Sequence, residues 1–540
     1  MSEQMSFARK ASGLVRGLSF IDAFGVGFMN QGLTVSMWVM ISLGLSQYTG
    51  GNLIWATVIS AVLCGVGFSL VWGILGGSMP RSGGEYIYNS RILGPLIGIA
   101  ESFGNAFVWV MWIFVLAPWT VSPGLTMVFQ FLGRADIADA ISTKLNYFLI
   151  SSLVNLIALL FLVFGIKIFA TAQKVVMSLA MVGGVLILIV LSITSHQAFV
   201  NSWNALATQY SSVDFNNFLD GARSMMKDAG VTLATGFNFR DTLGVMVAGS
   251  WLFAYSYCIT FIAGEVKRPD KTIILANLTA VLVPAFFMIW LAAALYHLVG
   301  SQWLAASAYV DNIISGGGTM TGYAFPWPPN FVGFAAVITR SPFLLILMGS
   351  SFILFNIWYV ALSYMAFPRI LFAWGMDRMG PKWFADIDYR WATPVKNHIL
   401  CFILGEIGIG LYTLWRNPMS GLSITGMEVV SVFGVTAIAA LIFPFVKRVR
   451  NIWESSPYKT WKILGIPLVT IGAVFNLVYL GILFYFYYVM PSGEQPMVRA
   501  SLFMYLVIYG LGIGWYFYWK ARNKKSGVDV GMTYGELPPD

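Results

Sequence analysis

Twelve apolar runs, each about long enough to cross the hydrocarbon core of a bilayer, follow one another along this chain. Their limits fall near 20–43, 53–77, 95–128, 146–165, 175–195, 242–263, 273–299, 342–367, 398–415, 424–446, 464–490 and 499–520. Lipid offers no hydrogen bonds, so each run has to satisfy its own backbone as a helix. Composition agrees, because 58% of the 540 residues are hydrophobic and only 10% charged, where soluble domains carry about 25% charged. The expected fold is an all-α polytopic membrane protein with twelve transmembrane helices. The third run is long enough to tilt or to end in the interface.

The cations set an expected orientation. With a cytoplasmic N-terminus, the inner segments hold 24 of the 32 Lys and Arg, among them Arg81, Lys267, Arg268 and Lys447, and the outer segments hold 8. Positive charge retained on the cytoplasmic side predicts both termini inside a cell membrane crossed an even number of times. The +9 net charge is then topological, and no basic patch remains for nucleic acid. Residues 1–19 are expected to be a cytoplasmic tail and not a cleaved signal, because the first apolar run is too long and lacks a small-residue cleavage pattern. Residues 521–540 are expected to form a second cytoplasmic tail, and 20–520 a single twelve-span domain.

Several chemistries find no residues to support them. Cys64, Cys258 and Cys401 lie in or beside apolar runs without paired spacing, and His196, His297 and His398 are scattered near run ends. No metal site or cofactor is expected from them. An intramembrane enzyme would need clustered catalytic groups such as H-E-x-x-H, and a channel a filter segment or a ring of charge. Neither pattern occurs, nor does a nucleotide-binding loop for direct ATP drive.

Two apolar runs are interrupted by small residues at similar depth. The first carries Gly25, Gly27 and Gly32; the sixth carries Ala248-Gly249-Ser250-Trp251 and leads into Gly264-Glu265-Val266-Lys267-Arg268-Pro269. Paired interruptions of this kind point to a transporter site, since broken helices bare backbone groups that can hold a solute. They divide the domain into two five-span repeats, about 20–195 and 242–446, with spans 11 and 12 (464–520) appended. Loops 196–241 and 300–341 exceed ordinary connection lengths and are expected to fold over the outer mouth, as a lid or as a fixed cap.

Four stretches carry a resemblance. Gly17-Leu18-Ser19-Phe20-Ile21-Asp22-Ala23 opens the first span. Met79-Pro80-Arg81-Ser82-Gly83-Gly84-Glu85-Tyr86-Ile87-Tyr88, followed by Leu93-Gly94-Pro95, carries P-x-S-G-G-x-Y-x-Y and L-G-P. Glu265–Ile273 is similar to E-x-K-x-P-x-R-x-I, and Pro368–Ala373 with Asp377–Pro381, Phe384 and Pro394 forms the last. Together they resemble the amino acid–polyamine–organocation (APC) superfamily of permeases, in the family's order over residues 17–394.

That resemblance implies a 5+5 inverted-repeat, LeuT-like fold with discontinuous helices 1 and 6. It implies a secondary transporter for an amino acid or related amine, working by alternating access. Spans 1, 2, 6 and 7 would move against spans 3, 4, 5, 8, 9 and 10. Free amides at a half-helix start would hold a carboxylate, and exposed carbonyls an ammonium. Counted onto this chain, the family's small-residue triplet falls on Gln31-Gly32-Leu33, its helix 6 glycine on Tyr255 and its aromatic gate on Trp251. The expected substrate site is therefore Gly27, Phe28, Asn30, Gln31, Gly32, Trp251, Phe253 and Tyr255; the alternative is that these polar and aromatic residues only satisfy and pack the break. The relay lysine that some members carry in helix 5 falls on Ala180, and Lys174 reads as an interfacial charge. Of the two carboxylates inside spans, Glu101 is the proton-coupling candidate, because helix 3 borders the site in this fold, the alternative being an inner-side ion pair or a hydrogen bond with backbone; Glu406 is expected to serve a structural role of that kind. Proton symport is the expected coupling, with an ion-independent exchanger as the alternative.

Overall fold

The computed structural model describes residues 16–414, 432–489, 495–528 and 530–537. Most of the expected N-terminal tail, with Arg9 and Lys10, the first part of the expected tenth span and Arg416 lie outside the described residues.

Among the described residues nine helices are long and apolar enough to cross a membrane, from Phe20–Leu45 and Leu53–Ser78 to Pro342–Met376, Val395–Leu414 and Leu502–Lys525. A tenth arises if Phe239–Ala248 and Ser250–Glu265, bent by 50°, count as one broken span. Two shorter apolar helices, Gly434–Phe445 and Leu468–Phe484, fall within the expected tenth and eleventh runs. Expected and observed limits agree to a few residues, except where helices run past the apolar segment: the fifth begins at Ile166 and the eighth continues to Met376. Charged and polar residues extend a helix beyond lipid at no backbone cost, so hydropathy alone cannot see those turns.

Local signals fix the starts. Ser19 and Asp22 form a capping box on the first helix, with the Ser19 amide donating to Asp22 Oδ2 at 2.9 Å. Asn52 caps the second span by accepting from the amides of Ile54 and Trp55. Pro95, Pro269 and Pro342 each occupy a first helical turn, where the missing N–H costs nothing.

The lipid-facing surface is recognisable by what is left uncovered. Leu145, Leu149, Leu153, Leu156 and Leu160 line one stripe of the fourth span at helical spacing, and Ile399, Ile403, Ile407 and Leu411 do the same on the ninth, all exposed. In water such stripes would be a liability, whereas a bilayer covers them. The polar residues in the middle of these helices face inward. Asn155 and Ser152 of the fourth span both donate to Glu406 of the ninth, at 2.8 and 2.7 Å.

Both described chain ends sit at the same end of the bundle. Gly17 and Leu18 donate their amides to Glu265 O, and Lys267 donates back to Leu18 O. Glu265 in turn pairs with Arg369, one to two turns before the end of the eighth helix, and Asp377 just past that end pairs with Arg91, whose guanidinium covers the Tyr534 ring. At the opposite end the two long loops fold into helices His196–Tyr210, Phe215–Asp228, Ser301–Ser315 and Phe331–Ile338. They pack on one another through Trp203, Phe215, Trp303 and Phe325, and the amide of Val213 donates to Gly322 O.

Candidate functional site

The first span is broken where its glycine stands. Helix Phe20–Asn30 stops, Gly32 adopts φ 54 and ψ 63, and a new helix begins at Leu33. A left-handed residue is costly for any side chain and free for glycine. Its bare Cα also lets Tyr359 approach, since an added Cβ would stand 3.1 Å from that ring. The sixth span bends at Gly249, then passes through one short turn, Ser250–Phe253, into a 3-10 helix over Tyr255–Glu265. At each junction the last carbonyls of one half and the first amides of the next have no place in a continuous ladder.

Side chains tie the two breaks together. Asn30 Nδ2 donates to Tyr255 O at 2.9 Å, and Ser36 Oγ donates to Gln31 O and to Trp251 O, the latter at 3.1 Å. All of these residues are buried. Gln31 is buried between them, and neither its Oε1 nor its Nε2 has a partner among the described residues; Asn30 Oδ1 has none either. A buried primary amide with both ends free is costly unless something polar comes to meet it.

An aromatic wall stands beside these groups. Trp251 meets Trp112 edge-on with ring centroids 5.0 Å apart and stacks on Trp119 at 6.0 Å; Tyr255 meets Trp112 at 5.8 Å and Tyr359 at 5.9 Å. Asn356, one turn before Tyr359 on the eighth span, is buried with both amide atoms without partners among the described residues.

The structure thus brings Asn30, Gln31, Gly32, Trp251 and Tyr255 to one place. Gly27 and Phe28 lie about one turn earlier on the first helix: a Cβ on Gly27 would strike Ile259 Cδ1 at 2.7 Å, and Phe28 packs on Phe24 and Phe355. Phe253 is buried and has no ring contact among the described residues. Ser36, Trp112, Trp119, Asn356 and Tyr359 were not foreseen. Asn356 had a signal, as an amide in the middle of an apolar run, whereas the tryptophans on the third span look like ordinary membrane aromatics.

Both approaches to this region are occupied by side chains. Toward the chain-end side, Lys174 Nζ pairs with Asp22 Oδ1 at 2.8 Å, and Gln173 Nε2 donates to Asp22 O at 3.0 Å. Lys174 is therefore an ion-pair partner of the first span and not a lone interfacial charge. At the loop side, Trp38 Nε1 donates to Asp311 Oδ2 at 2.8 Å, and Asn330 Nδ2 to Asp311 Oδ1 at 3.2 Å, which fastens the 300–341 loop over the second half of the broken span. Burial pushes the Asp311 carboxyl up from its ordinary range.

Glu101 sits in the third span, almost fully buried, where Asn89 Nδ2 donates to its Oε2 at 3.0 Å. Its Oε1 has no partner among the described residues. Ala180 is buried on the fifth span, and its carbonyl accepts from Ser351 Oγ at 2.7 Å. No group of three or more metal-ligating side chains occurs among the described residues.

None of the curated proteins matches this chain. The family model for amino acid permeases matches residues 25–527 and so takes in both broken spans, the aromatic wall and the loops that cover them. With most of its length matched, the chain belongs to the amino acid permease family, whose members are membrane transporters and not enzymes.

Proposed function

We propose that the protein is a secondary active transporter that moves an amino acid by alternating access, in symport with protons. The observation that supports it is the pair of breaks at Gly32 and Gly249, cross-tied by Asn30 to Tyr255 O and by Ser36 to Trp251 O, with the free Gln31 amide between them. Neither 25–36 nor 248–263 contains a charged residue. A neutral site of backbone dipoles and amides suits a zwitterion, whose two charges are answered by amides and carbonyls, better than a lone organic cation that would call for a carboxylate. Asn30, Gln31, Gly32, Trp251 and Tyr255 are the proposed contacts; Gly27, Phe28 and Phe253 shape the helices that carry them.

In this proposal the shorter helices Gly434–Phe445 and Leu468–Phe484 belong to two further crossings, which makes twelve, with both termini in the cytoplasm. The excess of Lys and Arg at the chain-end side supports that orientation. The pairs Asp22–Lys174 and Glu265–Arg369 join spans 1 and 6 to spans 5 and 8, so opening to the cytoplasm would part them. Proton coupling is assigned to the buried carboxyl region around Glu101, beside the unwound part of the sixth span.

Uptake of labelled amino acids into proteoliposomes tests this. Accumulation above the external concentration is expected only with a proton gradient directed inward. Uptake indifferent to the gradient and dependent on solute preloaded inside would establish an exchanger instead.

A further inference from the structure

The short helix Glu85–Ile92 packs against the third span, Pro95–Phe131, and each contributes a glutamate and, four residues on, an asparagine. The pairs are reciprocal. Asn105 Nδ2 donates to Glu85 Oε1 at 2.5 Å, and Asn89 Nδ2 donates to Glu101 Oε2 at 3.0 Å. All four side chains are buried. Three acceptors then lack a donor among the described residues: Glu85 Oε2, Glu101 Oε1 and Asn89 Oδ1.

Among the described residues the surroundings offer no free cation to answer two carboxylates. Arg91 is taken by Asp377 and Arg369 by Glu265, while Arg448 donates to Arg91 O. The other groups that face the pair are neutral. Thr436 of the helix Gly434–Ile442 accepts from Asn89 Nδ2 at 2.9 Å, Tyr88 lies on the short helix itself, and the Tyr257 hydroxyl of the sixth span reaches Asn105 Oδ1 at 3.5 Å. Two uncompensated carboxylates at close quarters cannot both stay ionised out of water. A proton on Glu101 Oε1 would give Asn89 Oδ1 the donor it lacks and close an acid–amide pair. Asn105 Oδ1, by contrast, already faces the Tyr257 hydroxyl at 3.5 Å, so a proton on Glu85 would share that acceptor.

We propose that Glu85 and Glu101 form one proton-binding site in which Glu101 keeps a proton against Asn89 while Glu85 gains and loses the transported one. Glu85 passes its state through Asn105 and Tyr257 to the unwound segment Tyr255–Glu265, which carries Tyr255 of the substrate site. This rests on the proton-coupled reading above and names the group that exchanges.

In proteoliposomes, gradient-driven accumulation approaches about tenfold per pH unit for one proton carried with each solute. Glu85→Gln is expected to abolish that accumulation while solute counterflow persists at a reduced rate. Glu101→Gln, whose amide can donate to Asn89 as the acid does, is expected to keep accumulation at a reduced rate. Accumulation kept by Glu85→Gln, or lost in Glu101→Gln, overturns the assignment. Infrared difference spectra of the purified wild-type protein across pH need no substitution and no gradient. They should show two protonated-carboxyl components, one that titrates near neutrality and one that does not, and their absence overturns the site. Should both components appear while wild-type uptake ignores the gradient, the proton site stands and the symport reading falls.

Discussion

Replacing Gly32 by alanine tests whether the break in the first span is built into the fold. At φ 54 and ψ 63 an L side chain costs roughly 1–2 kcal/mol relative to glycine. The new Cβ would stand 3.1 and 3.3 Å from two carbons of the Tyr359 ring, so the ring has to retreat by a few tenths of an ångström. That ring is held against Tyr255 and Trp112, with centroids 5.9 and 6.1 Å away, and overpacking a tight contact adds about 1 kcal/mol. The total, about 2–3 kcal/mol, corresponds to roughly 30- to 150-fold in any equilibrium that needs this geometry. Gly32→Ala should therefore unfold a few degrees earlier in a thermal scan and should raise the KM of uptake in proteoliposomes, since Tyr359 moves with the wall it belongs to. Gly481→Ala is the control. It lies in the helix Leu468–Phe484 with ordinary dihedrals, and its Cβ would meet nothing within 4 Å. A Gly32→Ala protein that matches wild type in both measurements, or a Gly481→Ala protein equally damaged, would refute the reasoning.

Arg369→Leu should remove folded protein from the monodisperse peak in size-exclusion chromatography, because it strands the Glu265 carboxylate where the two side chains are only 3% and 1% exposed, at a cost of about 3–5 kcal/mol. Adding Glu265→Gln should recover part of the loss, and a single variant that elutes as wild type contradicts the burial of this pair. Burial pushes the Glu85 carboxyl up to about 7 from an ordinary 4.5, so the folded protein binds this proton more tightly than the unfolded chain does. The stabilisation is complete below about pH 4.5 and is lost as pH rises through about 7. At about 1.4 kcal/mol per pH unit, Glu85→Gln should gain on wild type by up to roughly 3 kcal/mol between pH 5 and 8. A gap in Tm that does not change with pH would show that Glu85 titrates as an exposed carboxylate does.

What the sequence disclosed follows from how local each cause is. Span limits depend on runs of apolar side chains, and the first break depends on one residue, Gly32, whose conformation only glycine accepts cheaply. The bend of the sixth span at Gly249 was legible as one of two places, because the family's glycine position is Tyr255 here and small residues cluster earlier. The 3-10 winding of Tyr255–Glu265 was not legible, since nothing in Tyr-Ser-Tyr-Cys-Ile-Thr-Phe sets it apart from an α-helix. Neither was the wall. Trp112 and Trp119 meet Trp251 only because the third span packs across the sixth, and a residue's partners across helices are not written in its neighbours along the chain. The same holds for Glu85 and Asn105, twenty residues apart, and for Lys174, whose carboxylate partner lies more than 150 positions earlier.

The two ends of the bundle are closed by different physics, and the difference bears on how the proposed cycle would run. At the chain-end side, Asp22–Lys174 and Glu265–Arg369 cross between spans that the cycle separates, and Arg91–Asp377 braces the short helix beside them. A charge pair gives up its mutual attraction when parted, but water regains both ions, so most of the desolvation cost is returned. At the loop side, among the described residues, the ion pairs Arg134–Asp136 and Arg223–Asp220 each close within a single short segment, and Arg223 reaches the other long loop only through the neutral Gln302. What crosses there is mostly aromatic: Trp38 on Trp119 and Phe352 and the Trp203–Trp303–Phe325 cluster, with the buried Asp311 carboxyl held by the donors of Trp38 and Asn330. Opening that side exposes aromatic surface at about 25 cal/mol per Å² with no hydration to offset it. A zwitterion bound at the breaks would have to offset that cost, whereas the ionic side can part on thermal motion once its charges meet water. In the proposed cycle substrate would therefore have most leverage over the loop side, and a proton on Glu85, at the chain-end side, would have it over the other.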